Sequence, residues 1–302
     1  MNRHVLLDRA TALIGSLMAG KDRFFSRSVQ SSGFSCNIKD VDLRIPGLKE
    51  GRHEIRAGSP AGDLKAAYYV AQLRGGGYPT IIYHHGSGED PLDFRWFAKN
   101  TFRGIFMDTG ESPEANIIAV RAPFHGSSLR EYKQNISYLS RFVAMLSVSV
   151  VLIDKLIAAM KEEMDTAAAV SGISLGGWVA NLHRSYFNTA DVYIPLLAGA
   201  ALGELFVCSG YRRMTGKPAL ANPDKIREVL NFEEEYRKIE DDNVFPLLGR
   251  YDQFIQYSRQ KVCYGQRKIN VLEKGHITSS MDTRSLRDHI LSCMDEIDGD
   301  EA

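Results

Sequence analysis

From about residue 65 onward, short runs of continuous apolar residues alternate with longer segments whose apolar positions recur every three or four residues. The first pattern belongs to strands buried on both faces, the second to helices packed by one side. Strands are predicted at Lys65–Arg74, Pro79–Tyr83, Asn116–Val120, Ala167–Ser171, Val192–Leu197, Val244–Leu248 and Ile269–Leu272. Helices are predicted at Val150–Met164, from Trp178 onward, and at Asp282–Ile297. Such alternation points to an α/β fold, a mostly parallel central sheet with helices on both faces. Gly75, Gly76 and Gly77 separate the first two strands and suggest a hairpin there.

Two regions depart from this rhythm. Residues 1–64 begin with an amphipathic helix over Met1–Gly20, followed by an extension without a clear pattern. Between residues 199 and 242, Gly203, Gly210, Gly216, Pro218 and Pro223 break the apolar runs before a charged helix at Glu233–Asp242, which reads as a small cap inserted at the carboxyl edge of the sheet. With no repeat or low-complexity tract, the 302 residues read as one domain carrying that insertion.

Charge narrows the partners. Lys plus Arg and Asp plus Glu both number 37, so no net field draws the whole molecule to nucleic acid or to an anionic membrane. The most apolar stretches, Phe142–Met160 and Ala190–Leu202, are interrupted by Asp154, Lys155 and Asp191, and no membrane span is expected. Asp8 and Arg9 interrupt the first helix where an export signal needs an unbroken apolar core. Cys36, Cys208, Cys263 and Cys293 are too scattered for a metal site and read as reduced, mostly buried thiols of a cytoplasmic protein.

The chemistry concentrates at Gly172-Ile173-Ser174-Leu175-Gly176-Gly177, directly after one predicted strand and before a helix. A turn that tight forces its central residue into strained backbone geometry and leaves no space for side chains beside it. It would lift the Ser174 hydroxyl above the sheet edge, with the Leu175 N–H aimed at a developing oxyanion. A serine hydroxyl needs a base, and the base a carboxylate. His276 follows the last predicted strand. Asp252 follows the strand before it, and is preferred to Asp241 and Asp242, which precede that strand, and to Glu273, which is too near His276 in sequence.

Tyr83-His84-His85-Gly86-Ser87-Gly88 follows another central strand, and the backbone N–H groups of Ser87 and Gly86 are candidates for a second oxyanion donor. Adjacent strand histidines should point to opposite faces, so His84 and His85 are not expected to share a metal. His85-Gly86, the Gly172–Gly176 turn, Asp252 and His276 together resemble the α/β-hydrolase superfamily over about residues 65–297. The resemblance implies an eight-stranded sheet, a cap after the sixth strand, and a serine hydrolase working without metal or organic cofactor. Arg121–Ser128, containing His125-Gly126-Ser127-Ser128, resembles that family's His-Gly-x-Ser loop, which supports the site.

The substrate expected on this reading is a small acyl compound, first a carboxylic ester. A thioesterase, peptidase or acyltransferase would use the same residues, and a non-catalytic ligand-binding protein or a scaffold assembling through Met1–Asp40 are the rival classes. Phe206, Tyr211 and Met214 are candidates for an apolar acyl pocket. The oligomeric state is left open.

Overall fold

The computed structural model describes the backbone of residues 2–298 and the side chains through residue 294. Nine strands form one sheet: β1 (Asp42–Leu43), β2 (Gly51–Gly58), β3 (Leu64–Gln72), β4 (Thr80–His84), β5 (Asn116–Arg121), β6 (Ala168–Ile173), β7 (Val192–Leu196), β8 (Leu247–Gly249) and β9 (Asn270–Leu272). Their order is β1-β2-β3-β5-β4-β6-β7-β8-β9. The first three strands and the β3/β5 pair run antiparallel, and everything from β5 to β9 is parallel.

The continuous apolar runs have a physical cause, because each parallel strand divides its residues between two cores. Ile82, Ile118, Val120 and Val170 join the helices Leu139–Met164 and Leu175–Tyr186 on one face. Ile81, Tyr83, Ile117, Ala119 and Ala169 meet Phe102, Ile105, Leu286 and Ile290 on the other. The helix Leu139–Met164 is 26 residues long and apolar enough to cross a membrane, but most of it is buried in the first of these cores.

The sheet corrects several expectations. β3 and β4 form no hairpin, since β5 lies between them. β4 is buried along its whole length and takes a parallel neighbour on each side. The Asn116 side chain holds the glycine-rich loop across the start of β5, accepting from Arg74 and Gly75 N–H at 2.7 and 3.1 Å and donating to the Tyr78 carbonyl at 2.9 Å. The sheet has nine strands rather than the eight the resemblance implies, since residues 42–58 add two, concealed by the irregular N-terminal pattern, to the seven read from the apolar runs. Val244 makes only an isolated bridge to Tyr193, and β8 begins at Leu247. The charged helix is short, Glu233–Arg237, and leads into irregular chain. Cys36 and Cys208 are exposed, whereas Cys263 and Cys293 are buried.

The N-terminal helix, Arg3–Ala19, turns Asp8 and Ala12 inward. Asp8 and Ala12 are buried, while Leu6, Leu7, Leu13, Ile14, Leu17 and Met18 are exposed, so its apolar stripe faces away from the core. Close docking dictates this choice: a Cβ on Gly15 would lie 2.7 Å from Met214 Sδ, and the loops beneath the helix present backbone N–H groups that need an acceptor.

Candidate active site

Connections leave β4 in one direction towards β5 and return past it to β6, so a crevice opens beyond the carboxyl ends of β4 and β6. Ser174 sits there as the residue before the helix Leu175–Tyr186, with φ 54° and ψ −106°. Positive φ is costly for a residue bearing a Cβ, of order 1–3 kcal/mol, and persists only where the surroundings impose it. Here they do. A Cβ on Gly176 would fall 2.1 Å from the His84 carbonyl oxygen, one on Gly172 2.6 Å from Gly176 backbone, and one on Gly177 2.7 Å from the Leu196 oxygen. The glycines let the helix start press against the two central strands, and the Ser174 N–H donates to the Leu196 carbonyl at 2.8 Å.

Asp252 lies three residues beyond β8, buried, and its Oδ2 is 2.7 Å from His276 Nδ1. Asp252 Oδ1 accepts from Phe254 and Ile255 N–H at 2.8 and 2.7 Å, which fixes the carboxylate plane. An ionised carboxylate can only accept, so His276 carries its proton on Nδ1 and leaves Nε2 as a base. His276 and Ser174 line one cavity of about 200 Å³, with no hydrogen bond between them.

Gly86 and Ser87 form another wall of that cavity, and the Ser87 hydroxyl is tied to Tyr132 OH at 2.6 Å. Leu175 is the first residue of its helix, where an N–H has no intrahelical acceptor. Tyr211 and Met214 also line the cavity. Phe206 does not: its ring is buried among Phe24, Phe25 and Phe142 at 4.7–5.5 Å, because the short helix Leu202–Val207 turns it into the aromatic core. Asp241, Asp242 and Glu273 are engaged elsewhere, with Asn188, Arg267 and Arg250 respectively.

His84 and His85 stack with centroids 4.7 Å apart instead of pointing to opposite faces, since β4 ends at His84 and strand alternation ends with it. His85 Nε2 accepts from the Ala122 N–H at 3.0 Å, so Nδ1 must donate to the Gly86 carbonyl at 2.7 Å. The ring thereby clamps the Gly86–Ser87 turn to the end of β5. His125 packs against His85 and Tyr132 at 4.5 and 4.6 Å. Burial lowers His84 to about 4 and His125 to about 3, and takes His85 well below its ordinary value. All three are neutral structural rings near neutral pH. Among the described residues, no group of three or more His, Cys, Asp or Glu side chains is arranged to hold a metal.

Two residues of the site escaped the sequence reading. Asp8 is fully buried, its Oδ2 accepting from Gln253 and His276 N–H at 3.1 and 2.9 Å and its Oδ1 from Ile277 N–H at 3.0 Å. It therefore ties the N-terminal helix to both loops that carry the Asp252–His276 pair, and Thr11 and Gly15 of that helix complete the cavity wall. Its one signal was a carboxylate set among apolar helical residues. Glu89 is a buried cavity residue that accepts from Thr101 Oγ1 at 2.6 Å and pairs with Lys99 at 3.1 Å.

This strand order, with a serine on a tight strand-to-helix turn, defines the α/β-hydrolase fold. Solved structures agree: the chain is similar to acetyl xylan esterase 1 from Thermoanaerobacterium sp. JW/SL YS485, with a TM-score of 0.53, 11% identity, and 84% of this chain and 91% of the other covered. A glucuronoyl esterase of carbohydrate esterase family 15 from Caldicellulosiruptor kristjansonii matches with a TM-score of 0.51, 12% identity, and 91% and 83% covered. The acylaminoacyl peptidase of Pyrococcus horikoshii matches with a TM-score of 0.52 and 13% identity over 84% of this chain and 41% of that longer one. No family model and no curated protein sequence matches.

Proposed function

We propose that the protein is a serine hydrolase that cleaves a carboxylic ester through a covalent acyl-enzyme. The observation that carries this reading is the buried Asp252–His276 pair at 2.7 Å, with its base nitrogen free, on the same cavity as a serine held at φ 54°. His276 Nε2 takes the proton of Ser174 Oγ as the oxygen attacks the acyl carbonyl, and returns it to the departing alcohol. Leu175 and Ser87 N–H groups hold the tetrahedral oxyanion. Water, activated by the same nitrogen, then releases the acid.

A cavity of about 200 Å³ lies below the range of about 300–1,000 Å³ usual for drug-sized ligands, which favours a short acyl group beside Tyr211, Met214 and Phe254. Two of the three similar structures carry esterase names, and support ester over amide only at the level of analogy.

The test is a fluorophosphonate probe on wild type and Ser174→Ala, with the adduct mapped by mass spectrometry, followed by kinetics on short-chain esters, thioesters and aminoacyl amides. Label on Ser174 with fastest turnover of short esters is expected. A folded wild type that never labels would replace this reading with a non-catalytic binding protein.

A further inference from the structure

We propose that the outward stripe of the N-terminal helix docks the protein onto an anionic lipid surface. The helix buries Asp8 and Ala12 and leaves its large apolar side chains in solvent. Leu6, Leu7, Leu13, Ile14, Leu17 and Met18 recur at the spacing that gathers side chains on one helical face, and all six are exposed, Leu17 to 74%. The stripe runs over about 18 Å of helix, from a rise of about 1.5 Å per residue. A soluble protein has no physical reason to leave that face in water when Asp8, Ala12 and Gly15 face inward, and exposed apolar surface of this extent marks a site of association.

Charge selects the occupant. Arg3, Arg9 and Lys21 flank the stripe, and Arg212 and Arg213 stand on the short helical turn packed against it. All five are exposed, and none is in an ion pair among the described residues. The helix's one carboxylate, Asp8, is buried on the opposite side. In a chain of zero net charge this is a local concentration of unpaired cations around an apolar face, the combination that seats a helix among acyl chains with its cations at anionic headgroups. A second copy of the chain would bring the same cations against one another, and so fits the face poorly.

A second exposed apolar pair lies close in sequence to a residue of the cavity wall. Thr11 and Gly15 of the helix form one part of that wall, and Lys99 another. Just before Lys99, Trp96 and Phe97 are 86% and 63% exposed. Aromatic residues with polar neighbours suit the interfacial layer of a bilayer.

The test is co-sedimentation of the full-length protein with phosphatidylcholine vesicles, with and without phosphatidylglycerol. Wild type is expected to bind the phosphatidylglycerol vesicles at least about tenfold more tightly than the neutral ones, and to release as salt is raised. Leu17→Glu/Met18→Glu, both outside the cavity, should lose about tenfold or more in partitioning while keeping the wild-type melting temperature and hydrolysis of soluble esters. Arg3→Glu/Arg9→Glu should lose the preference for phosphatidylglycerol. Ser174→Ala should bind as wild type does, which separates docking from the catalytic reading. The proposal is overturned if wild type binds neither vesicle, if the double glutamate variant binds as well as wild type, or if wild type sediments as a dimer without lipid and that variant as a monomer, which would put a second copy on the stripe.

Discussion

Single atoms decide most of what this site can do. On the proposed reading, Ser174→Ala removes the nucleophile from a half-buried turn and should leave the melting temperature unchanged while hydrolysis falls by a factor on the order of 10³ or more. Asp252→Asn keeps the shape but replaces an acceptor-only group with one that can donate to Nδ1, which would free the wrong nitrogen; kcat should fall on the order of 10³–10⁴-fold with KM little changed. Asp8 touches no substrate, yet its removal orphans three N–H groups at Gln253, His276 and Ile277. At about 1 kcal/mol for each, Asp8→Ala should cost about 3 kcal/mol of stability and lower kcat, with KM nearly constant, because the His276 loop loses its anchor. Asp8→Asn, which retains one acceptor oxygen, should fall between the two. A thermal melt beside a kcat and KM measurement decides: an unchanged kcat in a folded Asp8→Ala protein would reduce Asp8 to a structural pin.

Elements meet where glycine permits it. Gly176 brings its helix onto the end of β4, and the atom a Cβ would strike is the His84 backbone, which cannot rotate aside. Gly176→Ala should therefore destabilise by about 3 kcal/mol, at the upper end for overpacking, and abolish labelling of Ser174 by displacing the turn. Gly33→Ala is the counterpart, since a Cβ there meets nothing within 4 Å and its φ of −71° suits any residue. Its stability should stay within about 0.5 kcal/mol of wild type in chemical denaturation. Most elements were legible as elements: β3 to β7 lie within a few residues of the apolar runs that predict them, because burial on both faces leaves an unbroken signature. β1 and β2 were not, since they lie at the sheet's antiparallel margin, where exposed positions dilute the pattern.

At the scale of the whole molecule, the stacked histidines behind the site couple folding to pH. In the unfolded chain each has a pKa near 6.5, whereas in the fold burial holds His84 at about 4 and His125 at about 3. The unfolded state then binds more protons than the folded one across that interval. Stability is complete above about pH 6.5 and is lost as pH falls, towards about 4 for His84 and about 3 for His125, by about 1.4 kcal/mol per pH unit for each histidine. Melting temperatures measured from pH 7 down to pH 4 should fall steadily, and His125→Gln should flatten the slope. A melting temperature independent of pH over that range would show these rings to be protonated or solvated in the fold.

Local patterns in the sequence were enough to determine the parallel sheet, the small residues around Ser174 and the placing of Asp252 and His276 after successive strands, because each follows from what one segment can bury or how tightly it can turn. Only the tertiary structure decided that β5 separates β3 from β4, that Phe206 belongs to the core rather than the cavity, and that Asp8 reaches under two distant loops. It also turned the N-terminal helix apolar side out. Periodicity states which residues share a face; which face meets the protein depends on the unpaired N–H groups and the space that the rest of the fold presents, and those exist only once the chain has folded.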